Sequence, residues 1–84
     1  MEQTLRKIKY AVEYEIGGYE NQVADYDEDT EEYKEAKAWL DMSDDEKVEE
    51  IYNSIIDDTL EKEVRFIGTA AIKRFIKIIV IENH

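Results

Sequence analysis

Asp25, Asp27 and Asp29 alternate through DYDEDTEEY (residues 25–33), where six carboxylates fill nine positions with no lysine or arginine among them. Aspartates at every second position are how a calcium-binding loop begins, because short carboxylates at that spacing can converge on one cation. Such a loop next needs glycine at its sixth position and a bidentate glutamate at its twelfth, and Thr30 and Ala36 stand there instead. A dedicated metal site is therefore not expected, nor any cofactor. Paired carboxylates also hydrolyse glycosides, but one of the pair needs apolar surroundings to raise its pKa. No acid falls on an apolar stretch here.

Other chemistries fare no better. The only histidine, His84, stands at the end of the chain, where a general base could not be held in position. Ser43 and Ser54 have no partner histidine, so no nucleophilic triad can be assembled. Gly17-Gly18 is not followed by the Gly-Lys-Ser/Thr of a phosphate-cradling loop. There is no cysteine, which excludes disulfides and thiolate metal centres. The expectation is a protein without catalytic residues.

What the chain has in excess is charge. It carries 22 acids against 11 bases, net -11 over 84 residues, and 39% of it is charged where about a quarter is usual. The excess is segregated. Residues 1–24 hold four acids and three bases, residues 25–63 seventeen and four, and residues 64–84 one and four, so the segments carry -1, -13 and +3. A protein that needed only solubility would intersperse its signs. The balance argues against direct binding of nucleic acid or of anionic membranes, whose phosphates would be repelled. The most apolar run, residues 75–81, is far below the roughly 20 residues that span a bilayer. A cytoplasmic protein is expected.

The elements that must position these charges fit one domain, since a chain of this size supports a single compact core. Ile8, Tyr10, Val12, Tyr14 and Ile16 alternate with more polar residues, the period of a half-buried strand. Gly17-Gly18 suits a two-residue turn, and folding back over it pairs Ile16 with Tyr19, Tyr14 with Asn21 and Val12 with Val23. A helix over residues 5–16 is the weaker option. From Asp29 the period lengthens. Asp29 or Thr30 can cap a helix carrying Tyr33, Ala36 and Leu40, with Trp39 beside them, and Asp41-Met42 ends it. Ser43 to Glu46 has the form of a capping box, opening a helix to about Leu60 with Val48, Ile51, Tyr52, Ile55 and Thr59 on one face. Residues 64–67 can form a third short strand. Thr69 can then cap a last helix over residues 70–80, with a strand over 75–81 as the competing reading. The fold class expected is α+β: an N-terminal antiparallel β-hairpin over residues 1–24, an acidic helical module over 25–63, and a short strand with a C-terminal amphipathic helix over 64–84. The expected core is Ile8, Val12, Ile16, Val23, Leu40, Val48, Ile51, Ile55, Phe66, Ile72, Phe75, Ile76 and Ile79.

In that arrangement the candidate contact residues are the acids Asp25, Asp27, Glu28, Asp29, Glu31 and Glu32 of the first cluster and Asp44, Asp45, Glu46, Glu49, Glu50, Asp57, Asp58 and Glu61 of the second helix. Tyr26 and Tyr33, set among them, are candidate anchors. Through its size, DYDEDTEEY, SDDEKVEE and lack of catalytic residues, the chain resembles the small acidic phage and mobile-element proteins that inhibit restriction or CRISPR enzymes by occupying their nucleic-acid sites. The resemblance covers the central half of the chain. It implies a reversible, stoichiometric inhibitor whose partner is a basic nucleic-acid-binding protein, such as a nuclease or CRISPR effector. The plainer alternative is an interaction module that binds through an apolar surface, on the last helix and the tyrosine-bearing hairpin, with its acids only solvated. The wide apolar arc of the last helix also leaves room for a homodimer contact.

Overall fold

A computed structural model describes residues 2–83. Its five elements are all helices: α1 (Glu2–Asp25), α2 (Glu31–Leu40), α3 (Asp44–Ile55), α4 (Asp58–Ile67) and α5 (Thr69–Glu82). No strand occurs among the described residues, so the expected α+β class is wrong in both of its strand regions.

The hairpin is replaced by one continuous helix, and the reason lies in the pattern itself. Ile8, Val12 and Ile16 are spaced by four, and together with Thr4 they are the buried residues of α1. A spacing of four satisfies a period of two and a period of 3.6 equally well. What separates them is the intervening pair, Tyr10 and Tyr14, which a strand would turn inward with the isoleucines. They are 71% and 72% exposed. Gly17 and Gly18 lie inside the helix and make no turn.

α1 is the spine, about 36 Å long at 1.5 Å per residue, in a molecule 43 × 22 × 16 Å across. α2 folds back along its C-terminal half, where Tyr19 stacks on Trp39 with ring centroids 4.6 Å apart. Gln22 Nε2 donates to the Glu32 carbonyl at 3.1 Å and fastens the first turn of α2 to the end of α1. α3 and α5 pack against each other and against the inner face of α1, with α4 docked on α5. The core holds Ile8, Val12, Ile16, Trp39, Val48, Ile51, Val64, Ile72, Ile76, Ile79 and Val80, with Leu40, Ile55 and Phe75 partly buried around it. Phe66, expected inside, is 86% exposed.

Caps set the helix boundaries. Thr30 Oγ1 accepts from Tyr33 N–H at 3.2 Å to start α2, and Ser43 Oγ accepts from Glu46 N–H at 3.3 Å to start α3. The expected long helix from Ser43 to about Leu60 is in fact two. Ile56 is extended, and Asp57 Oδ1 accepts from Leu60 N–H at 2.9 Å, so Asp57 caps a new helix. Residues 64–67, expected as a strand, complete that helix as part of α4. Thr69 does not cap α5. Gly68 joins α4 directly to α5 at φ 112°, a backbone geometry that favours glycine.

Candidate functional site

The acids of residues 25–32 lie on the corner where α1 ends and α2 begins. Thr30 shapes it, donating its hydroxyl to the Asp27 carbonyl at 2.7 Å while its oxygen caps α2. Asp25, Asp27, Glu28, Asp29, Glu31 and Glu32 are all exposed there. Tyr26 stands half out of the surface among them, and Tyr33 is half-buried in the first turn of α2. Glu31 and Glu32 also sit at the positive end of the α2 dipole, which offsets part of their mutual repulsion.

The second group of candidate acids does not form one face. Because the chain breaks at Ile56, Asp58 and Glu61 belong to α4 and Asp57 stands just before it. Asp57 is engaged as a cap, and Glu61 Oε1 holds Arg65 at 2.8 Å. On α3, Asp45 and Glu49 turn toward α5 and pair with Lys77 at 2.9 Å and Lys73 at 2.8 Å. The basic C-terminal segment thus neutralises one stripe of the acidic module. Lys37 pairs with Asp41 at 3.1 Å, and none of these ion pairs includes an acid of the 25–32 corner. Asp44, Glu46 and Glu50 stay exposed, although Glu46 Oε1 accepts the Ser43 hydroxyl at 3.1 Å.

A third grouping was invisible in the sequence. Glu15 of α1, Glu35 of α2 and Glu50 of α3, from three separate helices, act electrostatically on the Tyr19 hydroxyl. Its pKa is pushed above the usual 10.0, first by burial and then by these three carboxylates. Glu15 and Glu35 were missed because a hairpin gives Glu15 no relation to the later helices. Once α1 is helical, Glu15 and Tyr19 share a face at i, i+4. Glu15 also accepts the Ser54 hydroxyl at 3.2 Å, tying α1 to α3. Lys47 is buried, with its Nζ 5.3 Å from the centre of the Trp39 ring. Lys37 and Lys77 are held above the usual lysine pKa of 10.5, chiefly by their hydrogen bonds to Asp41 and Asp45.

Among the described residues no three acids or histidines come together in a group that could hold an ion. His84 lies outside the described residues. No helix among them is long and apolar enough to cross a membrane. Chemically, the surface offers exposed carboxylates and a half-exposed tyrosine, a set suited to charge recognition. No family model, no curated protein and no solved structure matches the chain.

Proposed function

We propose that the chain is a non-catalytic inhibitor that presents nucleic-acid-like negative charge to the basic DNA- or RNA-binding cleft of a host defence enzyme, of the restriction or CRISPR type. One observation carries this reading: the 25–32 corner exposes six carboxylates that form no ion pair among the described residues. The four pairs elsewhere show that the fold supplies lysine or arginine to other acids. Leaving this cluster unpaired keeps an anionic surface ready for a cationic partner. A target of this kind would place its action in the cytoplasm.

Charge density limits the imitation to a local one. Duplex DNA as long as the 43 Å axis carries about 25 charges at one per 1.7 Å, against 22 acids and net -11 in the whole chain. The corner, with six acids in eight residues, is where the density comes nearest. Tyr26, half exposed in its midst, supplies a contact with more binding energy than rim charges provide.

The exposed Phe66, Ile78 and Ile81 favour the second reading, an interaction module that docks through apolar surface. Salt separates the two. Capture of partners from bacterial lysate on the immobilised protein, followed by elution with duplex DNA or with salt raised from roughly 50 to 500 mM, tests the choice. The anionic reading predicts release by both. A partner that stays bound under both treatments would establish the apolar one.

A further inference from the structure

α1 has a second face that nothing in the monomer covers. Opposite the buried Thr4–Ile8–Val12–Ile16 row, at 100° per residue, lie Tyr10 and Tyr14, their rings stacked with centroids 6.4 Å apart. On the same outer strip Arg6 precedes them, and Gly17, Asn21 and Asp25 follow. From Tyr10 to Asn21 the strip has no charge, in a chain that is 39% charged. The two helix glycines add to the anomaly. Each weakens the helix relative to alanine, because glycine loses more backbone freedom on folding. A Cβ at either would meet nothing within 4 Å, so packing inside the monomer does not call for them.

We infer that this strip joins two copies of the chain, with their α1 helices antiparallel about a two-fold axis. The charges on it are self-complementary only in that direction: positive toward the N-terminal end, negative at the C-terminal end. With Arg6 opposite Asp25 of the second copy, Tyr10 falls opposite Asn21 and Tyr14 opposite Gly17, and symmetry makes each pairing twice. The Tyr14 ring then rests where the facing helix has no side chain, which lets the axes approach closely. Net charge does not forbid this arrangement. α2 and α3 pack on the other side of α1, so their acids are separated in the pair by about two helix diameters, ~20 Å, well beyond the ~8 Å screening length at physiological salt. A strip roughly 30 Å by 10 Å is smaller than the ~800 Å² per partner of a stable interface, so the dimer forms at micromolar concentration and dissociates on dilution.

The inference does not rest on the anionic-inhibitor reading, and its test involves no nuclease. Sedimentation equilibrium of the full chain across the micromolar range should show a mass rising from 10.0 kDa toward twice that value. Arg6→Glu and Asp25→Arg each set like charges opposite one another at both pairs, while agreeing with the helix dipole. Each variant alone should associate about tenfold more weakly. An equimolar mixture restores opposite charges at both pairs and should recover the wild-type association. Gly17→Gln, a good helix former that fills the open position, should remove it, with circular dichroism confirming that the helices persist. A mass that stays at 10.0 kDa throughout would overturn the inference. So would association that survives Gly17→Gln, or a mixture of the two charge variants that does no better than either alone.

Discussion

At the scale of single residues, the glycines divide by geometry. Gly68 joins two helices with no linker at φ 112°, where an L-residue is strained whatever space surrounds it. Gly68→Ala should therefore cost about 1–3 kcal/mol, read as a lower urea midpoint. Gly18 is the opposite case: helical backbone, open space at the Cβ position. Gly18→Ala should stabilise by about 0.5–1 kcal/mol in the same titration. A loss of stability there would mean that the glycine is needed inside the monomer. Tyr19 makes a claim about pH. Its folded-state pKa is raised above the unfolded value of 10.0, so its contribution is fully present below pH 10 and is lost as pH rises through the folded value. Lys37 and Lys77, raised from 10.5, lose their contributions in the same direction at higher pH. Tyr19→Phe should flatten the decline of stability above pH 10 in alkaline unfolding followed by circular dichroism. Identical slopes for variant and wild type would refute the raised pKa of the Tyr19 hydroxyl.

At the scale of elements, caps decide more than periodicity. Asp57 is one side chain, yet its bond to Leu60 N–H turns what reads as one amphipathic run into α3 and α4. Asp57→Ala should cost about 1 kcal/mol in urea denaturation, and an unchanged midpoint would show that tertiary packing alone sets the break. The starts of α2 and α3 were legible because Thr30 and Ser43 are strong N-caps followed by acids, and α5 because its polar residues fall on one arc. The α3–α4 break was not legible. Asp57-Asp58 carries a cap signal, but Val48, Ile51, Ile55 and Thr59 continue a helical spacing across it. Thr59 proves exposed on α4. α1 failed for a sharper reason. With every buried position a multiple of four apart, only the environment of Tyr10 and Tyr14 could distinguish strand from helix, and the local sequence does not state it. The Gly17-Gly18 pair also suits a turn as well as it fits a helix without contacts at its Cβ positions. The same error hid Glu15, since a site built from α1, α2 and α3 cannot be drawn while α1 is taken for a hairpin.

At the scale of the molecule, the fold sorts its acids. Those on α3 that face α5 are matched with Lys73 and Lys77, and Glu61 and Asp41 are matched within their own helices, whereas the corner at residues 25–32 is left without an ion pair among the described residues. Sequence segregation at net -13 over residues 25–63 therefore overstates the anionic surface, because α5 returns to cover part of it. What remains is smaller; its densest cluster is the corner at one end of α1, while Asp44, Glu46 and Glu50 also stay exposed on α3. This moves the decisive substitutions. Reversing Asp45 and Glu49 would break the contacts to α5 and confuse folding with binding. Asp27, Glu28 and Asp29 are exposed, and their side chains form no ion pair among the described residues, so they can be reversed with the least disturbance of the fold. The most direct test is inhibition of DNA binding across a panel of purified restriction and CRISPR nucleases, comparing the wild-type chain with Asp27→Lys/Glu28→Lys/Asp29→Lys. The wild type should compete with DNA for at least one enzyme, while the folded triple variant should not. Equal inhibition by both proteins, or none by the wild type against any member of the panel, would contradict the account.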